Sequence, residues 1–313
     1  MNHETAQGER ASEAGVDRAW RIATAPVNWN NADVPDLRRH VPYRDMLSQM
    51  RRAGYEATEF GPGLPLDAGE LGEALGRESM TLVTAFCALP FRDPEGTRQG
   101  LPATLAVARV LCALGSDLVL LSDTIRPERS AYAGRVVDHH EAPRLAPSER
   151  AGFLARVEDT ARVLREELGM RAAFHHHTAT YVEAPDEVRW LLDGTDPDLV
   201  GLCLDTGHIA YGGGDPVEFA RAYADRVRHV HLKDVDGTRL AALRKAGSTF
   251  EEGLSSYVFP TLGLGVVDFP AVLASLREAS YQGYLVVEQD TQPIPPEEAA
   301  RLNRHYLSDT FGL

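Results

Sequence analysis

The sequence predicts an α/β protein built as a closed (β/α)8 barrel, on three observations. Short apolar runs alternate with helical stretches eight times along 313 residues, the pattern of a parallel sheet with crossover helices. The length suits one barrel of about 250 residues with additions. The turn after the first strand, APVNWN (25–30), has none of the glycines of a GxGxxG dinucleotide loop, which argues against an open doubly wound sheet.

The elements follow in order. Residues 21–26 read as a short strand. Residues 43–53 have helical spacing, with Met46, Leu47 and Met50 on one face and Gly54 as the C-cap. A second strand over 57–60 precedes a helix over 68–78. The run TLVTAFCAL (81–89) is a third strand, rich in apolar and β-branched residues. A helix over 101–114 ends at Gly115, and LVLL (118–121) is the fourth strand. A long amphipathic helix over 148–168 closes at Gly169 before the fifth strand, RAAFH (171–175). After a helix over 186–192 comes the sixth strand, VGLCLD (200–205). The helix over 215–223 takes Asp215 as N-cap with Pro216 behind it. The seventh strand is VRHVH (227–231). A helix over 269–278, an eighth strand YLVVE (284–288) and a closing helix over 296–306 complete the chain. Gly212, Gly213 and Gly214 read as a loop, because no Lys or Ser/Thr follows to make a phosphate cradle. Residues 1–18 read as a flexible tail ahead of a single domain over 19–313.

Composition narrows the function. Lys and Arg number 32 against 46 Asp and Glu, so the net charge is −14, a poor match for nucleic acid. The three cysteines, Cys87, Cys112 and Cys203, form no CxxC pair and read as buried thiols. The polar N-terminus does not read as a signal peptide, and no apolar run reaches the roughly 18 residues of a membrane span. A cytoplasmic protein acting on a small molecule, with no nucleic acid and no membrane as partner, is expected.

In a (β/α)8 barrel the active site lies at the C-terminal strand ends. The fifth strand ends in His175-His176-His177, the sixth in Asp205 with His208 close behind, the seventh in His231 followed by Lys233, the eighth in Glu288 and the second in Glu59. Charges placed directly after apolar runs must be partnered, exposed at the barrel mouth or bound to metal. Acids and histidines converging on one face suit a divalent ion, with Mn2+, Co2+, Mg2+ and Zn2+ all compatible. Alternation sends His175 and His177 to one side and His176 to the other.

Six segments carry a family likeness: 25–37, GYEATEFGPG (54–63), FHHHTATYVEAPDEV (174–188), LCLDTGHIAYGGGDP (202–216), HVHLKDV (229–235) and VVEQD (286–290). Through them the chain resembles the xylose-isomerase-like TIM-barrel sugar isomerase/epimerase superfamily, and within it the inosose dehydratase branch. Residues 239–269 resemble that branch's insertion between the seventh and eighth strands, expected to form a lid over about 235–268. The resemblance implies a metal held by His175, Asp205, His231 and Glu288. His175 stands where many relatives carry glutamate, so His177 and Glu183 remain alternatives for the fourth ligand. It implies Mn2+ or Co2+ first among the possible ions.

The implied reaction is dehydration of a keto-inositol such as scyllo-inosose, or a similar polyhydroxy ketone, through an enediolate. His208, Lys233, Glu288 and His177 are the expected acid and base groups. Glu59, Trp29, Asn28 and His208 are expected to line the substrate pocket. A ketose epimerase or isomerase and a 3-keto-glycoside β-eliminating lyase are the alternatives on the same site. The resemblance also makes a homo-oligomer possible.

Overall fold

The computed structural model describes residues 20–313, so the tail expected over 1–18 lies outside the described residues. Eight parallel strands close into a barrel in sequence order. They are β1 (Trp20–Thr24), β2 (Ala57–Phe60), β3 (Thr81–Leu89), β4 (Leu118–Asp123), β5 (Arg171–His175), β6 (Val200–Asp205), β7 (Val227–Leu232) and β8 (Gly283–Val287). Closure is made by β1 on β8, in register from Trp20 opposite Gly283 to Thr24 opposite Val287. β1 stops two residues short of the expected end because Pro26, which has no N–H for a ladder, opens a 3-10 turn over Pro26–Asn28.

The helices are α1 (Tyr43–Arg52), α2 (Ala68–Arg77), α3 (Pro94–Ala113), α4 (Pro127–Ser130), α5 (Pro147–Leu168), α6 (Pro185–Gly194), α7 (Thr206–Tyr211), α8 (Pro216–Ala222), α9 (Gly237–Ala246), α10 (Phe250–Ser255), α11 (Phe269–Glu278) and α12 (Pro296–Phe311). Local chemistry accounts for their starts. Asp67, Asp93, Asp215 and Asp268 each accept a hydrogen bond from a backbone N–H of the turn they cap. α1 buries Met46, Leu47 and Met50 against the sheet. α3 starts at Pro94, seven residues before the expected 101, and carries Pro102 within it. Among the described residues, no helix is long and apolar enough to cross a membrane.

Side-chain alternation sets up the site. Leu118, Leu120, Ala173 and Cys203 form one buried cluster, and Ala23, Ala25, Ala57, Val83 and Val286 another. Both are separate from the larger cluster between strands and helices. They fill the barrel interior with mostly small residues. Continuing the same parity upward brings Glu59, His175, Asp205 and Glu288 inward at the C-terminal end.

The segment between β7 and α11 contains α9 and α10, and it is packed. Phe250, Leu254, Val258 and Phe259 are fully buried with Tyr211, Val235 and Leu240 in a second apolar cluster. Thr249 and Glu252 form a reciprocal capping box at the start of α10. The Phe250 N–H donates to Ser130 Oγ at 3.0 Å, joining α10 to α4. Asp234 fastens the return of the segment: its Oδ2 accepts from the N–H groups of Gly263 and Gly265 at 2.9 and 2.8 Å, and its Oδ1 from that of Val267 at 3.1 Å. A Cβ on Gly265 would lie 2.2 Å from Asp234 Oδ1, so this close approach requires glycine.

Candidate active site

The ends of β5 to β8 bring four ligand-type groups together. His175 Nε2 lies 3.2 Å from His231 Nδ1 and 3.5 Å from Asp205 Oδ2. His231 Nδ1 lies 3.5 Å from Asp205 Oδ2 and 3.3 Å from Glu288 Oε2. One donor atom from each of His175, Asp205, His231 and Glu288 falls within 4.8 Å of every other. Asp205 begins α7 as well as ending β6. Its Oδ1 accepts the His208 N–H at 2.8 Å, which turns Oδ2 toward the other three residues. Oδ2 is buried and has no hydrogen-bond partner. A buried carboxylate oxygen left without one is costly. Together with two imidazoles and a second carboxylate, this donor set fits a divalent cation.

Above it lies a charged network. Lys233 Nζ sits 2.9 Å from Glu288 Oε2, 2.8 and 3.0 Å from the Asp290 oxygens and 3.1 Å from His208 Nε2. An ammonium has three N–H donors, and three partner groups surround it. Burial opposes its charge, yet Asp205, Asp290 and Glu288 hold Lys233 well above its ordinary range. The Phe259 ring lies 5.0 Å from Nζ and closes the other side.

His208 is fixed from the far side by Thr178, whose Oγ1 lies 2.9 Å from Nδ1. The Thr178 backbone N–H also donates to Nδ1, at 3.3 Å, so Nδ1 accepts from the main chain. The half-buried His177 places Nδ1 2.7 Å from the Thr178 carbonyl. A carbonyl only accepts, so Nδ1 carries the proton and Nε2 is a free acceptor. Burial, with His175 and Lys233 nearby, pushes His177 down to about 3, so the ring is neutral. The His177 and His208 rings lie 4.0 Å apart, with Phe250 edge-on to His177 at 5.5 Å.

Glu59 reaches across from β2. Its Oε1 accepts from His229 Nε2 at 2.8 Å and His231 Nε2 at 3.0 Å. Burial works against its charge, but His231 and His229 hold Glu59 down to about 2. These groups open onto a cavity of about 410 Å³ lined on its polar side by Glu59, His175, His177, Lys233, Glu288 and Asp290. Its other side is apolar, with Phe60, Pro62, Phe86 and Val107.

The structure places other expected site residues elsewhere. Asn28 is a clamp between β1 and β8: Nδ2 donates to Thr24 Oγ1 and Val287 O at 3.0 and 2.9 Å, and Oδ1 accepts from Gln289 N–H at 2.8 Å. Trp29 is 2% exposed, lies in the main apolar core and donates to Gln49 Oε1 at 2.8 Å. Neither lines the 410 Å³ cavity, but both line a neighbouring one of about 280 Å³ that shares Val27, Asn31 and Asp290 with it. Glu183 accepts from the N–H groups of Gly134 and Ala179 at 2.6 and 2.8 Å and faces Arg129 at 3.8 Å. It stands apart from the four-residue set. His176 receives the Asp205 N–H at 3.4 Å and does not line the cavity. Sequence reasoning did not single out Asp290, Thr178 or His229. The parity of β8 carried past Glu288, and that of β7 carried back from His231, point to Asp290 and His229.

The xylose isomerase-like TIM barrel family model matches residues 47–310. An inosose dehydratase of Geobacillus kaustophilus is 32% identical over 301 residues, covering 92% of this chain and 94% of that protein. The rhizopine catabolism protein MocC of Rhizobium meliloti is 34% identical over 275 residues, covering 87% and 82%. The solved structure of IOLI protein with a bound zinc atom superposes with a TM-score of 0.69 at 15% identity, covering 92% of this chain and 97% of that one. With its closed eight-stranded barrel and a family match over most of its length, the chain belongs to the xylose isomerase-like TIM barrel family.

Proposed function

We propose that this protein is a metal-dependent carbon–oxygen lyase that dehydrates a keto-inositol, scyllo-inosose or a similar polyhydroxy ketone. The observation that carries the reading is the convergence of His175 Nε2, Asp205 Oδ2, His231 Nδ1 and Glu288 Oε2 beside the Lys233 network. It occurs in a chain 32% identical to an inosose dehydratase over 92% of its length. A divalent cation, Mn2+ or Co2+ first, held by these four residues would act as a Lewis acid toward a ketone oxygen.

The chain's own groups supply the proton transfers. A C–H beside a ketone gives up its proton only to a positioned acceptor. His177 Nε2 is the neutral acceptor on the cavity wall, held there by its Nδ1 bond to Thr178 O. Lys233, with three N–H groups and a retained charge, is a donor rather than a base. It protonates the departing β-hydroxyl, which leaves as water. The C–H electron pair becomes the new C=C bond, and the enol product relaxes to a diketone. His177 has then gained one proton and Lys233 has given up one, and exchange with solvent through the cavity resets both. Glu288 stays ionised: burial opposes its charge, but His231 and Lys233 hold it well below the usual carboxylate range. Phe250 packs edge-on to His177 and Phe259 lies beside Lys233 Nζ, both fully buried, and they keep water from that side of the reacting groups.

Incubation of scyllo-inosose with Mn2+-loaded protein in D2O, followed by proton NMR, tests the reading. Dehydration removes one substrate C–H signal and forms a diketone. Exchange of one hydrogen for deuterium with no water lost would replace the dehydratase by an epimerase.

A further inference from the structure

Glu59, His229 and His231 form a buried triplet beneath the candidate metal ligands. Glu59 comes from β2, across the barrel from β7, and is 2% exposed. His229 and His231 point the same way along β7, with rings 5.3 Å apart and at 78°. Both direct Nε2 at the same oxygen, Glu59 Oε1, at 2.8 and 3.0 Å. Two ring nitrogens within hydrogen-bond distance of one carboxylate oxygen are both donors to it. Each imidazole therefore presents an Nε2 proton to it. For His231 this leaves Nδ1 to face His175 Nε2, Asp205 Oδ2 and Glu288 Oε2.

We propose that Glu59 and His229 are positioning residues for the metal site: Glu59 sets the ring orientation and tautomer of His231, and His229 holds Glu59 in place. The proposal rests on His231 being a metal ligand. The physical basis is the outer carboxylate that receives the distal N–H of a ligating imidazole, orienting the ring and raising its donor strength. His229 occupies the second approach to Oε1, so the carboxylate stays beneath His231 instead of swinging into the donor set. The three residues also converge closely enough to hold an ion of their own. Glu59 Oε1 and the two Nε2 atoms already pair with one another, whereas the buried Asp205 Oδ2 has no hydrogen-bond partner. The ion therefore belongs to the set above.

The test is Co2+ affinity of the full chain, read by competition with a chromogenic chelator, together with the visible spectrum of bound Co2+. For Glu59→Gln the expected result is affinity weaker by about 10- to 100-fold and an altered Co2+ spectrum. Glu59→Asp should recover part of both. His229→Asn, which keeps the Glu59–His231 bond, should weaken binding by about tenfold, and it carries the test if Glu59→Gln does not fold. Wild-type affinity and spectrum in Glu59→Gln, or in His229→Asn where the first is unfolded, overturn the positioning role while leaving the metal site standing. Two Co2+ ions per wild-type chain, with one lost in Glu59→Gln, make Glu59 a ligand instead. A wild-type chain that takes up no Co2+ overturns the metal reading and this proposal with it.

Discussion

Lys233 Nζ and the Asp290 carboxylate are joined by two contacts of 2.8 and 3.0 Å inside the barrel mouth. The same ammonium also touches Glu288 and His208, so one cation organises two acids and a histidine. Replacing it tests whether it is a proton donor. Lys233→Met keeps the length and apolar stem but removes every N–H. The expected outcome is a fall in kcat of about 10²–10⁴-fold with bound metal retained. Steady-state kinetics and metal analysis on one preparation check it. Undiminished kcat would move the donor role to another group.

Asp205 serves two structures at once, and one substitution separates them. In Asp205→Asn a side-chain oxygen still caps α7, because Asn is as good an N-cap as Asp. The second oxygen becomes an NH2, a donor with no lone pair to offer a cation. The protein should fold with near-wild-type circular dichroism and lose its metal and its activity. Full metal content in this variant would remove Asp205 from the ligand set.

Asp123, at the end of β4, gives a pH test away from the site. Its Oδ2 accepts the Tyr181 N–H at 3.2 Å, and its Oδ1 is buried without a partner. Burial raises it from 3.8 to about 6. A group raised in the folded state favours folding below its unfolded value, and that contribution is lost as pH rises through the folded value. From 3.8 to about 6 the loss amounts to about 3 kcal/mol. Asp123→Asn should therefore match the wild type near pH 4 and exceed its stability above pH 6. Urea unfolding at both pH values checks this. Equal stability at pH 7 would contradict it.

The frame of this molecule is legible in its sequence where the physics is local. Strands β2, β3, β5 and β6 occupy the expected residues, because each is an apolar run closed by a glycine, a proline or a charge at the barrel mouth. Alternation along those strands then decides which of three consecutive histidines face the cavity. Legibility fails where direction is not set by a strand. Asn28 and Trp29 lie in the turn after β1, where Pro26 starts a 3-10 turn that points one amide at β8 and the indole into the core. α7 was hidden because Asp205 reads as a strand end and is also its N-cap. The early start of α3 was masked by Pro102, whose ring normally breaks a helical period. The Glu59–His229 contact joins residues 170 positions apart, and only closure of the barrel brings them together.

Product mass is the most direct test of the central claim. Scyllo-inosose is incubated with the Mn2+-loaded protein and, in parallel, with protein stripped by EDTA, and both mixtures are read by mass spectrometry. The account predicts a product lighter than the substrate by one water, formed only with metal present and restored when Mn2+ is added back. An unchanged substrate mass in the Mn2+-loaded sample, or equal dehydration after EDTA, would contradict it.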